Sequence, residues 1–89
     1  MMIADFYGNS VVGSVLGPKI LMFVVGVNKI VDDLSSGFKR IRNYAAKVNA
    51  IRLGLDPEGE YDNIVFILRR KPPLIQEGYV IIVNEYLGY

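Results

Sequence analysis

The sequence predicts an α/β fold with element order β-β-α-β-β and one long helix. Three observations predict it. Ile20–Val25 is apolar at every position, apolar residues recur at spacings of three and four from Val31 to Val48, and two short apolar runs follow at Ile64–Leu68 and Gly78–Val83. The first pattern is that of a strand covered on both faces, the second that of an amphipathic helix. At 89 residues the chain is one domain or part of one.

Ser10–Leu16 is β-branched in places, at Val11, Val12 and Val15, and reads as a first strand after a turn at Gly8–Asn9. Met2–Phe6 is too short and mixed to assign. Gly17–Pro18 is a turn, because proline fixes φ and donates nothing to a ladder. The buried strand Ile20–Val25 ends at Gly26 and leads through Val27–Lys29 towards the helix.

The helix stripe is Val31, Leu34, Phe38, Ile41, Ala45 and Val48, with Asp32 and Asp33 in the first turn and the basic residues later, as the macrodipole favours. Gly37 is a weak point, costing about 1 kcal/mol against alanine. Gly54 and Pro57 close the helix, and Asp56–Asp62 is a polar turn. Pro72 and Pro73 bar a central strand between the last two apolar runs, which are expected to pair antiparallel. A single helix covers one face of a small sheet, whereas Ile20–Val25 needs cover on both. Either part of the fold lies outside these residues or a partner supplies the cover, and a homo-oligomer is the leading expectation.

Composition narrows the function. Apolar and aromatic residues make up 52% of the chain, rich for a small soluble monomer. Ten Lys and Arg face nine Asp and Glu, and this balance disfavours nucleic acid as a partner. The basic run Arg69–Lys71, with Lys39, Arg40 and Arg42, reads as a solvated face. Without Cys there is no disulfide or thiolate metal site, and without His the commonest general base and metal ligand are missing. No metal and no cofactor are therefore expected. The most apolar run, Ile20–Val27, is far short of the roughly 20 residues that span a bilayer, so a cytoplasmic protein without a membrane partner is expected.

The best candidate site is Gly26, Asn28 and Lys29. It lies at the carboxyl end of a buried strand, where ligands gather in open α/β sheets, and it offers backbone N–H groups, an amide and a cation to a small anionic metabolite. The alternative is that Asn28 caps the helix and Lys29 is solvated. Asn49 and Arg52 share a helical face and either line the same cleft or fix the helix end. Asn84 and Glu85 follow the last strand; Glu85 serves either as a general base or in a surface ion pair. No nucleophile–base pair is visible, so no catalytic residue is assigned.

Gly17-Pro-Lys19 through Val25-Gly-Val-Asn-Lys-Ile-Val31 resembles the LUD (lactate-utilisation) domain family, in which a GP turn leads into an apolar strand and then VG-x-NK-I-V. The likeness continues through Arg40-Ile-Arg42, Asn43, Ala45–Ala46, Asn49–Ala50 and Arg52–Leu53, and closes on Val83-Asn-Glu85 and Leu87-Gly-Tyr89. It implies a partial domain, corresponding to the C-terminal part, over residues 1–89. The implied fold is like that of NagB, ribose-5-phosphate isomerase and CoA transferases, and the implied setting is organic-acid utilisation beside other lactate-utilisation subunits. The Cys-rich insertion many relatives carry after the RL pair is absent. Lys47 stands where the family pattern has a helix-breaking proline, so the helix is expected to run on smoothly. The leading expectation is a LUD-like protein that binds a small anionic metabolite and self-associates. The alternatives are a catalytic subunit in organic-acid metabolism, a self-associating structural module without catalysis, and a small nucleic-acid-binding module.

Overall fold

A computed structural model describes all residues from Met1 to Tyr89. In chain order the elements are β1 (Met2–Asp5), α1 (Asn9–Val15), β2 (Ile20–Gly26), a 3-10 turn (Val27–Lys29), α2 (Leu34–Arg40), a π turn (Ile41–Ala45), α3 (Ala46–Arg52), β3 (Ile64–Ile67) and β4 (Glu77–Val83). The α/β class holds, and α2, the π turn and α3 form the one long helix. No helix is long and apolar enough to cross a membrane.

Two assignments differ from expectation at the start of the chain. Ser10–Leu16 is not a strand: Asn9–Val15 is helical. Gly8 turns the chain at φ 93°, and the Asp5 carboxylate accepts from Tyr7 N at 3.3 Å, before the helix, and from Ser10 N at 2.7 Å, an amide of its first turn. That capping outweighs the weak helix preference of three valines. The early strand is instead Met2–Asp5.

The pairing also differs. β3 and β4 do not pair with each other. β1 pairs antiparallel with β3, Met2 opposite Ile67 and Asp5 opposite Ile64. β2 pairs parallel with β4, Ile20 beside Glu77 and Gly26 beside Val83. The Pro72–Pro73 interruption explains this. Ile75 N bonds back to Pro72 O at 3.0 Å, turning the chain. Lys71 Nζ donates to the carbonyls of Ile75 and Gln76, and Lys19 O accepts from Gln76 N at 2.8 Å and Glu77 N at 3.2 Å. These bonds set β4 beside the start of β2. Ile75 is fully enclosed at this junction.

The helix begins at Leu34, with Asp33 as its N-cap accepting from Ser36 N at 2.7 Å. Those hydrogen bonds hold the Asp33 carboxyl below its ordinary range. Val31 of the predicted stripe therefore precedes the helix. The helix does continue through Lys47, but not smoothly, because the π turn interrupts the α-helical pattern. Its buried residues are Gly37 in α2, Ile41 at the start of the π turn and Ala50 in α3.

Burial is sparse. Only 7 of 89 residues are buried, and the apolar core among them is Ile41, Ala50 and Ile75. β2 alternates exposed and half-buried rather than lying covered on both faces: Ile20, Met22 and Val24 are open, while Leu21, Phe23 and Val25 are partly covered. This chain covers one face of that strand and leaves the other open.

Candidate functional site

Because β2 and β4 run parallel, Gly26 and Val83 end side by side. The segments leaving them, Val27–Lys29 and Asn84–Tyr89, meet at one corner. Val27 N donates to Glu85 O at 3.1 Å. The Asn28 side chain grips the tail from both ends of its amide: Oδ1 accepts from Leu87 N at 3.1 Å, and Nδ2 donates to Gly88 O at 3.3 Å. Gly26 has to be glycine for this approach. A Cβ there would press on Asn28 Oδ1 and lie 2.6 Å from both Glu85 O and Leu87 N.

Asn28 is thus a clasp for the C-terminal tail and does not cap the helix. The corner also lacks the free helix N-terminal amides expected from the sequence, since the helix starts at Leu34 and Val27 N is taken by Glu85 O. Positive charge at the corner comes from side chains. Lys29 is half-buried beside Gly88, where an added Cβ would stand 3.2 Å from Nζ. Arg40 reaches in from α2, its Nε donating to Asn28 O at 3.3 Å while its guanidinium stacks 5.2 Å above the Tyr44 ring.

At the far end of the tail, Asn49 and Arg52 do come together, and they bring Tyr89 with them. Arg52 donates to Asn49 Oδ1 from Nη2 at 2.9 Å and from Nε at 3.1 Å, and Nε also donates to Tyr89 OH at 2.8 Å. Tyr89 OH in turn donates to Asn49 Oδ1. The two groups singled out on the helix and the closing residues of the chain are one hydrogen-bonded unit. Arg40 and Tyr89 were not among the candidates. The sequence does mark both, Arg40 within Arg40-Ile-Arg42 and Tyr89 within the closing Leu87-Gly-Tyr89, but nothing local ties either to the corner or to Arg52.

Asn84 and Glu85 are exposed, and Glu85 contributes its backbone rather than its carboxylate. The chain's ion pairs are Arg42–Asp62 at 3.1 Å and Lys47–Glu58 at 3.8 Å. Neither involves Glu85, Lys29, Arg40 or Arg52.

Away from this corner, a concavity of about 290 Å³ is lined by residues of β2 and β4 together with Met1 and Leu68–Pro72. Its floor includes Leu21, Phe23 and Val80, and Arg69, Arg70 and Lys71 stand along its rim. The basic residues named from sequence are dispersed: Arg42 is paired with Asp62, Arg40 with the corner, and Lys71 with the carbonyls before β4.

The parallel pair, the long helix packed beside it and the tail clasped at its carboxyl end define a small α/β protein. The chain belongs to the LUD domain family, whose model matches residues 1–83. The strand, the Gly26–Lys29 corner and the helix all fall inside that match; the closing residues Asn84–Tyr89 lie beyond it. Neither the curated proteins nor the solved structures searched contain a match.

Proposed function

We propose that this chain binds a small carboxylate- or phosphate-bearing metabolite at the Gly26–Lys29 corner. The setting we infer is organic-acid utilisation, in company with other lactate-utilisation subunits. One observation carries the proposal: Lys29 stands beside Gly88 at the carboxyl end of the parallel pair, Arg40 reaches the adjoining Asn28 carbonyl, and neither cation forms an ion pair within the chain. An anion supplies the missing charge. Membership of the LUD domain family supports a carboxylate as that anion. Asn28 and Gly26 act by fixing the tail that walls the site, and Asn49 and Arg52 fix its far end.

The test is an amide NMR titration with L-lactate and, separately, inorganic phosphate. Saturable shifts at Val27–Lys29 and Leu87–Gly88 are expected, with affinity falling at least about tenfold in Lys29→Gln, the loss of one charge-assisted contact. Unsaturable shifts with both ions, or equal affinity in the variant, would overturn it.

A further inference from the structure

We infer that the segment Asn84–Tyr89 is a strap pinned at two points, and that Tyr89 is the positioning residue whose hydroxyl latches it against the Gly26–Lys29 corner. This rests on the anion-binding reading of the corner and names the device that holds the corner in shape.

The near pin is Asn28, through Leu87 N at 3.1 Å and Gly88 O at 3.3 Å. The far pin is on α3. There the Tyr89 hydroxyl uses both of its capacities. It accepts from Arg52 Nε at 2.8 Å and donates to Asn49 Oδ1, which itself accepts from Arg52 Nε and Nη2. The three polar groups close a ring. A phenylalanine in place of Tyr89 would keep the aromatic body and lose both bonds. Gly88, held by one pin, and Tyr89, held by the other, are adjacent, so slack at the far pin passes directly to the near one.

Gly88 is also the seat of Lys29. It takes φ 61°, a left-handed conformation that favours glycine. Its open side faces the ammonium, since an added Cβ would lie 3.2 Å from Lys29 Nζ. The strap therefore sets where the Lys29 charge stands. Hydrogen bonds near the surface hold it, with Tyr86 85% exposed and Gly88 open to solvent. A segment held in this way opens locally while the rest of the fold stays formed. Loss of the latch shifts the corner towards an open state in which Lys29 has lost its seat, and a carboxylate there is held less tightly.

Native-state amide exchange of the full chain, followed by NMR without ligand, tests the latch. The Leu87 amide is expected to exchange about tenfold faster in Tyr89→Phe and in Asn49→Ala, the loss of about one net hydrogen bond. The β2 and β4 ladder amides are expected to keep their native rates, and the Lys29 ε-methylene resonances to shift in both variants. The control Tyr86→Phe, on the exposed part of the same strap, is expected to change neither. A titration with L-lactate is expected to show affinity at least about threefold lower in Tyr89→Phe. Native Leu87 exchange or native Lys29 resonances in Tyr89→Phe would overturn the inference. So would ladder amides that exchange faster by the same factor, or a lactate affinity equal to that of the native chain. A native chain that binds no lactate, with Leu87 and Lys29 responding as expected, would overturn the anion-site reading and support the latch.

Discussion

Asp5 shows how a single carboxylate organises the start of this chain. It is 8% exposed at the end of β1 and turns its two oxygens to the amides of Tyr7 and Ser10. Burial works to raise its pKa, but hydrogen bonds from the backbones of Ser10, Gly8, Val11 and Tyr7 together outweigh it and hold the carboxyl below its ordinary value. A carboxylate depressed in the folded state adds stability above the unfolded pKa and loses it as pH falls through the folded value. Asp5→Asn is therefore expected to cost about 1 kcal/mol near neutral pH, because the amide offers one acceptor oxygen where the carboxylate offers two, to Tyr7 N and Ser10 N. The gap between variant and native chain should close in acid. Urea unfolding at pH 7 and again below the carboxylate range checks both halves. The same residue explains why Asn9–Val15 was illegible as a helix: the decisive acceptor lies four residues before the segment, and valines alone speak for a strand.

Among the elements, the long helix is legible in its existence, but of its predicted stripe only Ile41 is buried, while Val31, Leu34 and Phe38 are exposed and Gly37 and Ala50, off the stripe, are enclosed. Its irregularities are not legible. The π turn follows no proline or glycine within Ile41–Ala45, and nothing in the periodicity marks it. Gly37 reads from sequence as a weakness, and the structure shows what surrounds it. An added Cβ would sit 3.4 Å from the Met2 thioether and 3.6 Å from Val31 Cγ2, ordinary contact distances. Gly37→Ala is thus expected to stabilise the chain by about 0.5–1 kcal/mol, through helix propensity and a less flexible unfolded chain. A rise in the denaturation midpoint at unchanged slope is the outcome to look for. The strands were found by their apolar runs, at Ile20–Val25 and Gly78–Val83, but their partners were not. A run apolar on both faces carries no register information, and two late strands close in sequence suggest a hairpin that the Pro72–Pro73 turn forbids. At the corner, Gly26, Asn28 and Lys29 were legible as a group because they are contiguous. The role of Asn28 was not, because its partners lie about sixty residues away in the tail.

At the scale of the whole molecule the dominant fact is how little is enclosed. The radius of gyration is 13.6 Å, against about 12 Å for a compact chain of this length. Because the folded chain still exposes 6433 Å², unfolding uncovers little further surface, and the dependence of stability on urea is expected to be shallower than that of a well-packed domain of this length. Equilibrium urea denaturation measures that slope directly.

The pairing of first strand with third and second with fourth has a kinetic consequence. Each ladder joins residues roughly sixty positions apart, a separation that slows folding because a large loop must close before any contact rewards it. On the ribosome the first ladder waits for Ile64–Ile67 and the second for Glu77–Val83, and Ile20–Val25 stays unpaired until the latter has emerged. That waiting segment is where a chaperone would first engage the nascent polypeptide, and where aggregation would begin if none did.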